Sequence, residues 1–236
     1  MTRRRWIADE VSGNHAALVG SHAEHLARVL RARVGQEFDI AASNEVRRGR
    51  ITRVEPDRVE FELGELVPVS SSPHLTLALS IFKFDRMEWA IEKCTELGVE
   101  HIVPVIARRT ESHLAAAAAR RVERWQRIAR QAAEQSRRSA IPEVSQPIKL
   151  KDALALPGST RILLSESEED LTLKDALQSA DAGVVLAIGP EGGWTDSELI
   201  QFRDAGWLSA SLGNTILRAE TAAIAAVAVM LSEFQR

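Results

Sequence analysis

The chain divides where its hydrophobic period changes. Up to about residue 70 the apolar positions come in short alternating or continuous runs, at Glu37–Ile40, Arg50–Val54 and Arg58–Leu63. The turn-forming pairs Ser43-Asn44 and Pro56-Asp57 separate them. One insert breaks the pattern: over His22–Arg31, residues Leu26, Val29 and Leu30 fall at helical spacing. Short strands around a single helix predict a small β-barrel. The stretch Val67–Pro73, rich in proline and serine, interrupts both periods and marks a linker. The chain is therefore read as a first domain of residues 1–72 and a second of residues 73–236.

Beyond the linker, strands alternate with helices, the pattern of an α/β fold with a mainly parallel sheet covered on both faces. The predicted strands are Leu75–Phe82, His101–Ile106, Arg161–Leu164, Val184–Ile188 and Leu208–Leu212. A helix capped by Asp85 places Met87, Ile91, Cys94 and Leu97 on one face and stops at Gly98. A longer one, Ala116–Ser136, turns Val122, Trp125, Ala129, Ala132 and Ala133 inward and most of its arginines outward. A short helix opens at Thr195-Asp196-Ser197-Glu198, which has capping-box spacing, and Ala219–Phe234 is a final apolar helix.

Composition narrows the class. With 236 residues, 45% of them hydrophobic, the chain is not disordered and can bury a real core. A lone cysteine, Cys94, excludes an internal disulfide and a multi-cysteine zinc site, which fits a reducing compartment. The leading MTRRRWIADEVSGN has no apolar segment of the signal-peptide kind, and the most apolar stretch, Ala222–Leu231, is far shorter than the roughly 20 residues a membrane span needs. A cytoplasmic protein without membrane association is expected. His22 and His25 lie at i, i+3 but have no third ligand nearby, so they are read as surface groups and no metal is expected.

The net charge of −3 conceals an asymmetry. Residues 1–72 are balanced, 73–150 carry 13 basic against 9 acidic groups, and 151–236 carry 6 against 13. Residues 108–138 alone hold nine arginines and three glutamates. Such a stripe is the footprint of a polyanion such as RNA or DNA. A merely solvated helix face is the competing reading.

In an open α/β sheet, ligands bind beyond the carboxyl ends of the strands. Two loops qualify: Gly189-Pro190-Glu191-Gly192-Gly193-Trp194 after one strand, and Gly213-Asn214-Thr215-Ile216-Leu217-Arg218 after another. The first carries more glycine than a tight turn requires, leaving backbone groups free to meet a ligand, and Trp194 is placed to close such a pocket. Neither loop matches a dinucleotide-binding G-x-G-x-x-G, a P-loop or a nucleophile elbow.

Lys83-Phe84-Asp85-Arg86-Met87-Glu88-Trp89, Thr95-Glu96-Leu97-Gly98-Val99, Glu134-Gln135-Ser136, Ile188-Gly189-Pro190-Glu191-Gly192-Gly193 and Ile216-Leu217-Arg218-Ala219-Glu220-Thr221-Ala222 together resemble, in order and spacing, the small-subunit rRNA uridine-N3 methyltransferases, the RsmE family. The resemblance runs from Arg3 to the C-terminus. Arg137, Asn214-Thr215 and Ala41–Glu45 depart from the family pattern. It implies a PUA-like β-barrel followed by a SPOUT α/β domain with a C-terminal trefoil knot. It also implies a homodimer, S-adenosyl-L-methionine as methyl donor, and as target a uridine near the 3′ end of 16S rRNA in the small ribosomal subunit.

On that reading the cofactor-binding residues are Leu164, Ile188, Gly189, Pro190, Glu191, Gly192, Gly193, Leu212, Gly213, Ile216 and Leu217, which offer backbone hydrogen bonds and apolar contact to adenosine. Methylating a uracil nitrogen removes its proton and puts charge on the ring oxygens. Arg218 is assigned to stabilise that charge, with Glu220, or alternatively Glu191, as the base. An ion pair of Arg218 with Glu191 or Glu220 is the structural alternative. The RNA-binding candidates are Arg3, Arg4, Arg5, Lys83, Arg86, Arg120, Arg124, Arg127, Arg137 and Arg138. A non-catalytic RNA-binding module, a transferase acting on another RNA, and a small-molecule transferase with the same loops are the competing functions.

Overall fold

The computed structural model describes residues 5–42, 45–68, 74–136, 138–178, 180 and 183–234. The RNA-binding candidates Arg3, Arg4 and Arg137 lie outside the described residues, as does most of the expected linker. The chain forms two compact units, one of residues 1–71 with 133–141, the other of residues 72–132 with 142–236.

The first unit is built on β1 (Arg5–Ile7), β2 (Glu10–Ser12), β3 (His15–Val19), α1 (Ser21–Glu24, running on into a π-helical turn His25–Val29), β4 (Glu37–Ala42), β5 (Glu45–Val54) and β6 (Arg58–Leu66). Its sheet has the order β1-β4-β5-β6-β3-β2, antiparallel except for β1 on β4. Alternation sends Ile40, Ile51, Val59, Phe61 and Leu63 inward, where Leu26 of the helical insert packs on them. His22 is no bare surface group. Its Nδ1 lies 3.1 Å from Asp9 Oδ2 and its Nε2 2.9 Å from Glu134 Oε2. The Glu134 hydrogen bond foremost, and Asp9 after it, holds the imidazolium form above the ordinary histidine range against the opposing effect of burial.

The second unit carries β7 (His74–Ser80), α2 (Phe84–Leu97), β8 (His101–Ile106), α3 (Ser112–Ala118), a 3₁₀ turn (Ala119–Arg121) and α4 (Val122–Gln135). There follow β9 (Glu143–Val144), β10 (Ile148–Lys149), α5 (Leu150–Ala153), β11 (Thr160–Leu164), α6 (Leu173–Leu177), β12 (Gly183–Ile188), α7 (Asp196–Asp204), β13 (Leu208–Ala210) and α8 (Ala219–Phe234). Its sheet is parallel throughout, in the order β10-β8-β7-β12-β11-β13, with β9 added beside β8. Both faces are buried, which is why its strands read as apolar runs rather than alternations. Leu77, Leu79, Val184, Leu186 and Ile188 face a core shared with α2, α4, α6 and α8. Ala78, Leu163, Val185 and Ala187 face a smaller one containing Trp194, Phe202 and Trp207. Trp125 and Cys94 sit fully inside the first core, and burial alone pushes the Cys94 thiol well above its usual range.

Several local expectations change. Lys83, not Asp85, is the N-cap of α2, so Asp85 lies within the first turn, where its charge favours the helix dipole without capping a backbone N–H. Gly98 ends the helix with φ +113°, a left-handed conformation that glycine adopts without a Cβ penalty. The single helix expected over Ala116–Ser136 is α3 and α4 joined by the 3₁₀ turn, starting at Ser112. The alanine run carries no periodicity to locate that start, and Leu114 and Ala118 extend the buried face backward. The Thr195–Glu198 capping box is present with both its hydrogen bonds.

Candidate functional site

Three neighbouring parallel strands, β12, β11 and β13, end at one place. Beyond their carboxyl ends lies an open cleft, bounded by Leu164, Ser165 and Glu166 after β11, by Ile188 to Glu191 and Gly193 after β12, and by Leu212, Gly213 and Thr215 to Leu217 with Ala219 and Ala222 of α8. Leu164 and Ile188 form its buried floor, whereas Ile216 stands at its mouth, 84% exposed. The glycine loop turns tightly, Gly193 N–H donating to the Pro190 carbonyl at 2.8 Å. At Gly193 the backbone has φ +68° and a Cβ would fall 2.2 Å from Glu166 Oε1, so only glycine leaves both turn and carboxylate in place.

Of the eleven residues assigned to the cofactor, ten line this cleft. Gly192 does not: its Cα faces the Arg109 side chain, where a Cβ would meet the Arg109 Cδ at 3.3 Å. Trp194 lies beneath the loop rather than across the opening. It is buried, its indole N–H donates 3.0 Å to the Leu164 carbonyl, and its ring meets Phe202 edge-on at 4.9 Å. It thereby ties the loop after β12 to the end of β11. Ser165, Glu166, Thr215, Ala219 and Ala222 were missed, although the rule about strand ends, applied to Arg161–Leu164, points directly at Ser165-Glu166. Glu166 makes no ion pair among the described residues.

Arg218 is exposed beside the cleft and forms no ion pair among the described residues, so the alternative of a pairing with Glu191 or Glu220 is not what the structure holds. Those carboxylates belong to Arg86 instead. Arg86 Nη1 lies 3.2 Å from Glu191 Oε1, and its Nε 3.7 Å from Glu220 Oε1. Glu220 is buried, and its second oxygen has no hydrogen-bond partner among the described residues. A guanidinium expected on RNA is thus part of the cleft's surroundings.

The other basic candidates separate in the same way. Arg124 grips Glu88 through Nε and Nη2 at 2.6 and 2.7 Å, and Arg127 lies 3.6 Å from Glu123 one helical turn away. Lys83 and Arg120 are exposed and make no ion pair among the described residues. Arg5 and Arg138 each take part in further interactions of their own. No group of three or more metal-ligating side chains, and no helix long and apolar enough to cross a membrane, occurs among the described residues.

Residues 70–231 match the RNA methyltransferase domain family. Over 98% of both chains, at 33% identity and a TM-score of 0.84, the fold superposes on a ribosomal RNA small subunit methyltransferase E of Neisseria gonorrhoeae bound to S-adenosyl methionine. The chain belongs to the ribosomal RNA small subunit methyltransferase E family. A methyltransferase of Legionella pneumophila in complex with the same cofactor is 30% identical over 99% of this chain and 98% of its own, with a TM-score of 0.79. Among curated members of the family, that of Mesomycoplasma hyopneumoniae is 32% identical over 64% of this chain and 65% of its own length. That of Synechocystis is 33% identical over 56% and 43%. The chain therefore aligns with less than two thirds of these curated relatives. The matched domain, residues 70–231, contains every residue that lines the cleft.

Proposed function

We propose that this chain transfers a methyl group from S-adenosyl-L-methionine to N3 of a uridine near the 3′ end of 16S rRNA in the small ribosomal subunit. One observation carries the reading: the cleft at the ends of β11, β12 and β13, lined by the glycine loop, in a chain alignable end to end with a family member whose structure holds that cofactor. The residues fit the group. Leu164, Ile188, Leu212 and Leu217 offer apolar contact to adenine, the backbone of Gly189, Gly193 and Gly213 offers hydrogen bonds, and Glu166 supplies negative charge to a cationic ligand. The bound cofactor supplies an electrophilic methyl on a sulfonium.

The chain's own residues do the rest. Ile216 at the mouth and the exposed Arg218 flank the approach of the base, and Arg218 stabilises the charge that grows on the uracil oxygens as the proton leaves. Glu220, buried beside the cleft-lining Ala219 with one oxygen turned to Arg86 and the other without a hydrogen-bond partner among the described residues, accepts the proton. Lys83, Arg120 and Arg127 meet phosphate, together with Arg5 and Arg138. Residues 1–72, read as a PUA-like barrel, and residues 73–236, read as a SPOUT domain with a trefoil knot, complete the proposal, along with a cytoplasmic homodimer. Family membership supports each of these.

The test is titration calorimetry with S-adenosyl-L-methionine, followed by methyl transfer to small subunits lacking the modification and mass spectrometry of the digested 16S rRNA. One methyl at N3 of a single uridine near the 3′ end is expected. A methyl on another base or atom overturns the target, and no cofactor binding overturns the reading.

A further inference from the structure

Two arginines grip the glycine loop from outside the cleft. Arg86, at the third position of α2, takes Glu191 with Nη1 at 3.2 Å and lies against the buried Glu220 with Nε. Arg109, three residues past the end of β8, donates Nη1 to the carbonyls of Gly192 and, at 3.1 Å, of Trp194. The anchored residues are 191, 192 and 194, which bracket Gly193, itself closed onto Pro190. A guanidinium suits this task, because its planar array of donors engages two acceptors in fixed directions.

We propose that Arg86 and Arg109 are positioning residues that set the cofactor loop in its binding shape before the ligand arrives, rather than contacts for RNA phosphate. A Gly-Pro-Glu-Gly-Gly segment loses much backbone freedom when ordered. Anchoring it in the free protein moves that cost out of the binding step. The inference rests on the reading of the cleft as an S-adenosyl-L-methionine site, and it reassigns two members of the basic region that charge alone marks as RNA-facing.

The experiment compares wild type, Arg86→Met, Arg109→Met, Arg86→Lys and Arg109→Lys. Amide hydrogen exchange across residues 189–194 is measured on the free proteins and needs no ligand: faster exchange is expected in both Met variants, and unchanged exchange overturns the proposal. The dissociation constant and KM for S-adenosyl-L-methionine should rise about tenfold to a hundredfold, the range for losing hydrogen bonds to a charged group, with kcat changing far less in Arg109→Met, whose guanidinium touches no group assigned to the proton transfer. The Lys variants should recover part of the affinity, and they carry the test if a Met variant fails to fold. The salt dependence of 16S rRNA binding should keep its slope. A slope shallower by about 0.7 to 0.9 with unchanged cofactor affinity makes the arginine a phosphate contact and overturns the proposal. If wild type itself does not bind the cofactor, the proposed function fails, while the exchange data still decide whether the two arginines order the loop.

Discussion

Adjacent glycines in the loop should respond very differently to a single methyl group. At Gly193 the φ of +68° would put an alanine in the left-handed region, which costs about 1–2 kcal/mol for an L-residue. The new Cβ would also stand 2.2 Å from Glu166 Oε1. That carboxylate ends an exposed, flexible side chain, so it swings aside cheaply, but it then leaves the cleft wall. Gly192 requires no positive φ, and its Cβ would stand 3.3 Å from the Arg109 stem, a contact relieved by a shift of a few tenths of an ångström. Its cost should stay near 0.5 kcal/mol, the ordinary range for a surface change. At roughly 2–4 °C per kcal/mol for a chain of this size, Gly193→Ala should lower Tm by about 2–8 °C and Gly192→Ala by about 2 °C or less. Thermal unfolding and calorimetry with S-adenosyl-L-methionine, run on both variants, give the two readouts, and affinity should fall mainly in Gly193→Ala. Equal losses of Tm, or an intact cofactor affinity in Gly193→Ala beside a weakened one in Gly192→Ala, would refute the assignment of Gly193 as the cleft-facing glycine.

Arg218→Ala should slow single-turnover methyl transfer by roughly 100-fold to 1000-fold, as for loss of one oxyanion donor, with cofactor and RNA affinity nearly unchanged; loss of cofactor affinity in proportion to rate would make it a binding residue instead. His22 has a raised pKa in the folded chain, so its clasp on Glu134 and Asp9 stabilises fully below the unfolded value near 6.5 and is lost as pH rises through the higher folded value. Urea unfolding of wild type and His22→Asn from pH 5.5 to 8.5 should therefore show a stability gap that shrinks upward, and a gap that widens contradicts the ion pairs. Trp194→Phe keeps the ring packing on Phe202 but removes the donor to the Leu164 carbonyl, so urea midpoints should report a loss of about 1 kcal/mol. An unchanged midpoint removes that hydrogen bond from the loop's support.

The parts of the second unit that follow from periodicity were legible: β8 and α8 have the bounds read from the sequence, and the capping box at Thr195 sits where its spacing places it. Short elements were not. β9, β10, α5 and α6 are two to five residues long, too short to display a period, and they exist because neighbours pair or pack on them. At the site, glycine content identified the loop but could not tell Gly192 from Gly193, since the direction each Cα faces depends on the turn closed by Pro190. Arg109 was hidden among eight other arginines of the same stretch. Its role comes from two carbonyls more than 80 residues away in sequence, which no local pattern reports.

Counting charges therefore overstates how much of the basic region faces a polyanion. Arg124 is committed to Glu88, Arg121 sits 4.8 Å over the Phe84 ring, and Arg109 binds the glycine loop. Each of these guanidiniums must loosen an existing partner before it can meet a phosphate, so it contributes less to RNA affinity than a free one would. Arg120 in the stripe, and Lys83 and Arg218 outside it, carry no such commitment among the described residues. The arginines between residues 108 and 138 thus have structural work to do: Arg124 braces α4 against Glu88 of α2, Arg109 fixes the loop at the cleft, and the exposed cations with no ion pair among the described residues are a smaller set than the charge count suggests. This division explains why a region so basic in sequence sits in a chain whose site is shaped mainly by backbone and apolar walls.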